Sequence, residues 1–205
     1  MSRRSPTNVL IAFPAFDRCD SLVFFPSTFT RLANSDDLTG IKKLFTNYMH
    51  KDCVFKYHAN TGNVMVFDQN AFLQMFNVSS VLEPDRIACV RSMKVVENTI
   101  RATLYIKLTD NQQLYDLVLQ TSPITDPNIA ALCQVDRSAR LKYYIHDDLL
   151  SDPVKQEIVN HAGSTEDLLL YVQCDIILTI DDMTKKVTCF DMTYLVTSIH
   201  PVSIH

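Results

Sequence analysis

Along residues 100–108, Ile100, Ala102, Leu104, Ile106 and Leu108 alternate with Arg101, Thr103, Tyr105 and Lys107. Successive side chains of a strand point to opposite faces, so a period of two makes one face core and leaves the other mixed. A strand of this length with one wet face belongs in an antiparallel sheet covered on a single side. Its partner is the segment 86–96, joined to it by the turn Glu97-Asn98-Thr99. Residues 168–180 and 186–199 form a second long hairpin, about a turn through Asp181-Asp182-Met183-Thr184. Two long hairpins need a layer to cover their apolar face, and the chain must supply it from elsewhere.

The covering layer is read upstream. Pro26-Ser27-Thr28 opens a short helix to about Ala33, with Phe25, Phe29 and Leu32 on one side. Asn34-Ser35-Asp36 breaks it and starts the next, in which Leu38, Ile41, Leu44, Phe45 and Tyr48 recur at three- and four-residue steps. Asp36 and Asp37 stand at its positive end, and Lys42 and Lys43 face outward. Cys53, Phe55 and Tyr57 then alternate with Val54, Lys56 and His58 as a strand. A turn at Asn60-Thr61-Gly62-Asn63 leads to a second strand over 64–67. Asp68 caps a third helix carrying Phe72, Leu73 and Phe76. The region 110–167 is an insertion or elaboration, with a strand expected over 114–120, a short helix from Asp126-Pro127 to Cys133 and a strand over 141–145. Asp152-Pro153 opens a helix to His161 there, stopped by Gly163. Helices first and strands later give an α+β fold: three N-terminal helices on a strongly curved, mainly antiparallel sheet. The expected division is a tail over 1–24 and one domain over 25–205.

Composition removes several function classes. Apolar residues are 47% and charged residues 20% of 205, the profile of a chain that buries a core without staples. A net charge of −4 offers no basic surplus to displace phosphate counterions, so no direct nucleic-acid partner is expected. No stretch approaches the roughly 18 apolar residues of a membrane span. The apolar run from Val9 to Phe13 is too short for a signal peptide and is ended by Pro14. Cys19, Cys53, Cys89, Cys133, Cys174 and Cys189 contain no C-x-x-C pair and are expected as reduced thiols of an intracellular protein, cytoplasmic or nuclear. Only three glycines exist, which rules out a phosphate-cradling glycine loop. No cofactor is expected. No metal is expected either: His50 and His58 are eight residues apart, and Asp147-Asp148 and Asp181-Asp182 read as turn and cap carboxylates.

The run "NSDDLTGIKKLF", at Asp37-Leu38, Gly40-Ile41 and Leu44-Phe45, resembles the opening helix of the NTF2-like (SnoaL-like) superfamily. The likeness continues in order through "HKDCVFKYH", "FDQNAFLQMF", "RIACVRSMKVVENTIRATLYIKLT" and "IILTIDDMTKKVTCFDMTYLV". It covers about 35–109 and 168–199; Lys185-Lys186-Val187 lacks the glycine that the family's last turn often carries. The resemblance implies a conical pocket between the helices and a bent sheet. It also implies a wide choice of roles, from steroid isomerases, dehydratases, cyclases and epoxide hydrolases to members that only bind or dimerise.

Laid on this chain, the isomerase pattern puts its base near Tyr57-His58, its tyrosine donor at Phe29 and its second donor near Ile177, with Asp175 two residues earlier. Phe29 has no hydroxyl, so that site is incomplete. A dehydratase-like set would draw on Tyr48, Asp52, His58, Tyr105 and Asp175. The catalytic candidates are therefore His58 and Asp175, and the ligand-binding candidates Phe29, Tyr48, Tyr57, His58, Phe72, Tyr105 and Asp175. Each has a plainer role: Tyr48 completes a helix face, Asp52 braces a junction, His58 bonds at a hairpin and Asp175 meets solvent. The expected function is a ligand-binding or dimerising module without strong catalytic equipment, its ligand small and hydrophobic. The alternative is a cofactor-free lyase, isomerase or hydrolase, and a third reading is a docking domain of a larger assembly. A homodimer through the outer sheet face is expected from the apolar content of the long strands. His58 and Asp175 converging on one cavity would favour the enzyme; Phe29, Phe45, Phe72 and Tyr105 filling it would favour the scaffold.

Overall fold

The computed structural model describes residues 20–58, 64–111, 113–114, 116–117, 152–161 and 166–202. Its helices are α1 (Asp20–Val23), α2 (Phe25–Asn34), α3 (Leu38–Tyr48), α4 (Gln69–Leu82) and α5 (Asp152–His161). Its strands are β1 (Met49–His58), β2 (Val64–Phe67), β3 (Ile87–Val96), β4 (Thr99–Asp110), β5 (Leu168–Ile180) and β6 (Val187–Pro201). The expected long hairpins are present as β3–β4 and β5–β6, and the expected three helices are α2, α3 and α4.

Helix boundaries follow local chemistry. Pro26 lies in the first turn of α2, where a missing N–H costs nothing. Asp37, rather than Asp36, caps α3: its Oδ1 accepts from the Gly40 N–H at 2.8 Å. Asp36 instead takes the left-handed conformation, φ 50°, which turns the chain between α2 and α3. Asp68 caps α4 by accepting from the Ala71 N–H at 2.8 Å.

All six strands form one sheet in the order β2-β1-β6-β5-β4-β3. Four neighbouring pairs are antiparallel, and only β1 with β6 is parallel. Register shifts at Met49/Val54, Val90/Ser92, Tyr171/Val172 and Thr179/Ile180 mark bulges, which bend and twist a strand. The sheet is thereby curved and left open, with its apolar face turned to α2, α3 and α4.

The core sits between these layers. Ile41, Phe45, Phe55, Leu178 and Phe190 are fully buried there, and Leu22 of α1 joins them. The edge strand β3 is fastened to the helical layer by one side chain. Asn34 Nδ2 donates to the Ala88 carbonyl and Asn34 Oδ1 accepts from the Ala88 N–H, each at 2.8 Å.

One expectation within the elaboration is corrected. Gln113, Leu114, Asp116 and Leu117 are helical, where a strand was expected over 114–120. Asn111 accounts for this: its Oδ1 accepts from the Leu114 N–H at 2.8 Å, a local bond that starts a helical turn. The elements expected over 126–133 and 141–145 lie outside the described residues.

Candidate functional site: the cone interior and the outer sheet face

The inward positions of the sheet are Phe55 and Tyr57 on β1, Leu104 and Ile106 on β4, Cys174 and Ile176 on β5, and Phe190 and Met192 on β6. Phenylalanine dominates the space they enclose. Phe29, Phe45, Phe55, Phe72 and Phe190 form a continuous ring cluster, with centroids from 4.3 Å (Phe55–Phe72) to 6.5 Å (Phe29–Phe72). Tilted and offset rings at these spacings are the favoured aromatic geometry.

A cavity of about 80 Å³ remains between α2, α4 and the strands β3 to β6. Phe29, Phe72, Met75 and Ile176 supply its apolar wall, and Arg86 and Tyr194 its principal polar groups. Among the described residues lining it there is no histidine, aspartate or glutamate. The Tyr194 hydroxyl points at Met192 Sδ, 3.9 Å away. Burial, with Cys174 and Tyr57 beside it, pushes the Tyr194 phenol well above its ordinary range, so it stays a neutral donor.

Arg86 marks the polar end. Its side chain is 11% exposed, and its guanidinium lies 5.0 Å over the Phe76 ring. Nη1 is 3.4 Å from Glu83 Oε2, Nη2 is 3.4 Å from Ser80 Oγ, and Nη2 is 3.7 Å from Asp36 Oδ1. All three contacts are long for a charge-assisted bond. Burial pushes the Glu83 carboxyl up to about 7, against the pull of Arg86, and the nearby carboxylates Asp110 and Asp85 add to the rise.

The two sequence-derived catalytic candidates are on the other side of the sheet. Because Phe55 and Tyr57 point inward, His58 points outward, where its Nε2 meets Asp191 Oδ1 at 2.7 Å. Because Cys174 and Ile176 are buried, Asp175 is exposed; it accepts from Thr103 Oγ1 at 2.7 Å and from Gln173 Nε2 at 3.1 Å. The register sets His58 beside Thr193 and Thr193 beside Asp175, so one whole strand separates the pair, roughly 10 Å at the usual strand spacing. They do not converge.

Of the remaining candidates, Phe29 and Phe72 line the cavity. Tyr57 is buried on the inner face, its ring 5.3 Å from Tyr194. Tyr48 is half-buried and meets Phe25 edge-on at 6.3 Å. Tyr105 belongs to the outer face, under the Arg91 guanidinium at 4.7 Å, and so does not fill the cone. Asp52 is exposed at the α3–β1 junction beside His50.

Thiol chemistry is not prepared at the described cysteines of the interior. Burial pushes Cys53 and Cys174 up to about 12, far from a thiolate at neutral pH. Among the described residues no cluster of three or more metal-ligating side chains occurs, and no helix is long and apolar enough to cross a membrane.

Arg86, Glu83, Tyr194 and Asp191 were not singled out from sequence. The available signal for the first two was "EPDR", a carboxylate three residues ahead of an arginine at the mouth of a strand.

No family model matches the chain, and no curated protein matches it. Solved structures do. One is a protein from Catenulispora acidiphila with a ketosteroid isomerase-like fold, 6% identical, covering 83% of this chain and 85% of its own, with TM-score 0.45. A second is IdmH of Streptomyces antibioticus, a proposed polyketide cyclase, 9% identical, covering 87% and 92%, with TM-score 0.45. A third, from Jannaschia, is a proposed SnoaL-like polyketide cyclase, 10% identical, covering 83% and 84%, with TM-score 0.44. The fold is α+β, with helices laid on one face of an open, mainly antiparallel six-stranded sheet. Likenesses at these identities bring no residue role to this chain.

Proposed function

We propose that this NTF2-like domain works by binding, both a small ligand in its cone and a second copy of itself, and not by turnover. One observation supports this above the others: the cavity wall carries no carboxylate or imidazole among the described residues, while His58 and Asp175 each serve an outward polar pair. Acid–base catalysis is most often run by a carboxylate or imidazole within hydrogen-bond reach of the substrate, and phenylalanine occupies much of that space.

The dimer rests on the outer sheet face. Tyr105 and Tyr171 are 37% and 39% exposed there, and tyrosine is enriched at interfaces because one end is apolar and the other wet.

Deuterium uptake tests the catalytic alternative. Small enolisable ketones incubated with the protein in D2O should exchange no faster than in buffer. Exchange above that blank, lost in His58→Ala or Asp175→Ala, would reinstate the enzyme. Native mass spectrometry of protein purified from its source should show a retained small molecule on a dimer. Sedimentation as a clean monomer at micromolar concentration would remove the dimer.

A further inference from the structure

We propose that the cavity is a receptor for a short-chain aliphatic monocarboxylate, its charged end held by Arg86 and its tail enclosed by the apolar wall. This rests on the binding role above and names its ligand class.

Three observations carry it. First, size. A cavity of 150 Å³ holds benzene, so about 80 Å³ accommodates roughly three carbon atoms of a tail. Second, polarity. Phe29, Phe72, Met75 and Ile176 offer a hydrocarbon chain matching surface, and the hydroxyls of Thr30 and Ser79 are the small polar groups among the described lining. Third, the cation. A guanidinium has five N–H donors in a planar fork that fits a carboxylate. The Arg86 side-chain contacts with Glu83, Ser80 and Asp36 are 3.4–3.7 Å long, so a ligand carboxylate at ordinary distance would be the better partner. Tyr194, whose hydroxyl donates to Met192 Sδ, lies on the same cavity wall.

The same geometry couples binding to a proton. A ligand anion beside Arg86 adds charge next to Glu83, which is already crowded by Asp110 and Asp85 and lies near Tyr194. Asp36, from the α2–α3 connection, completes the charged groups around the arginine. Glu83 relieves this by taking a proton from solvent as the anion enters. Its carboxyl titrates near 7, so apparent affinity should be about tenfold higher at pH 6 than at pH 8. The ligand remains an anion across that range.

Calorimetry of the full chain with butyrate, butyramide and octanoate tests this. Butyrate should bind at least tenfold more tightly than the neutral amide, and octanoate should be excluded by length. Arg86→Gln, with its fold verified by circular dichroism, should lose the preference for acid over amide. Glu83→Gln should bind butyrate and lose the pH response. Ala88→Leu, which fills the cavity and leaves Arg86 in place, should bind neither; undiminished butyrate binding there would overturn the proposed location. Equal binding of butyrate and butyramide would overturn the carboxylate assignment and leave the binding role standing. If none of the probes binds while purified protein retains another molecule, the ligand class is wrong. If nothing binds and nothing is retained, the binding role falls with it.

Discussion

The two faces of one sheet are built from alternate residues of the same strands, yet they differ in kind. The inner face is a cluster of phenylalanines closed by three helices, with a single guanidinium at its polar end. The outer face is a set of short polar links: His58 to Asp191, Thr103 and Gln173 to Asp175, and Arg91 over Tyr105. Residues with the most recognisable chemistry stand on the face where water already satisfies them. The enclosed face, where a ligand would be desolvated, is almost without such groups. The contrast shows that the chemical type of a residue says little about a site until its side of the sheet is known.

The comparison can be broken by mutation, beginning with the largest effect. Phe190→Ala removes a fully buried ring that meets Phe25, Phe29, Phe55 and Phe72. It should cost about 3–5 kcal/mol in chemical denaturation. A loss under 1 kcal/mol would show that the inner face is loosely packed.

Glu83→Gln comes next. The folded-state carboxyl titrates near 7 against an ordinary 4.5, so the native state holds the extra proton between those values. Its contribution is therefore neutral below about 4.5 and becomes destabilising as pH rises through 7. At pH 8 the variant should be more stable than the parent by roughly 3 kcal/mol, and at pH 4 the two should agree. Parallel stability curves across that range would place Glu83 in contact with water.

Smaller effects belong to the outer face. His58→Ala breaks a pair whose partners are 34% and 25% exposed, so solvent screens it and the loss should stay within about 1 kcal/mol. Asp175→Asn keeps an acceptor for Thr103 and should change stability by less than about 0.5 kcal/mol. A loss above 2 kcal/mol in either would mean that the outer face is covered, as a dimer would cover it, and equilibrium sedimentation of the variant would then show dissociation.

Much of the fold was legible because its signals are local. Period two in 100–108 and 168–180 fixes both strand and buried face, and Asp68 followed by an apolar helix fixes a cap. The start of α3 was read one residue early, because Asp36 and Asp37 are chemically alike and only backbone conformation separates them. The helical conformation of Gln113, Leu114, Asp116 and Leu117 was missed because one side-chain bond from Asn111 outweighs a short apolar pattern. The site was less legible. Alternation alone, with Phe55 and Tyr57 inward, would have turned His58 outward, but His58 was selected for its imidazole. The Arg86–Glu83 pair looks like loop chemistry in sequence. It is buried only because α4, Asp36 and the end of β4 close around it, contacts that no local pattern encodes.

Asn34 gives the rim of the sheet a property of its own. A primary amide that donates to the Ala88 carbonyl and accepts from its N–H imitates one rung of a neighbouring strand. A foreign chain seeking to extend the ladder meets that rung already occupied by a group on a helix, which cannot pass the pattern onward. One rung of this long edge is thus closed at its root by a single residue of a covering helix.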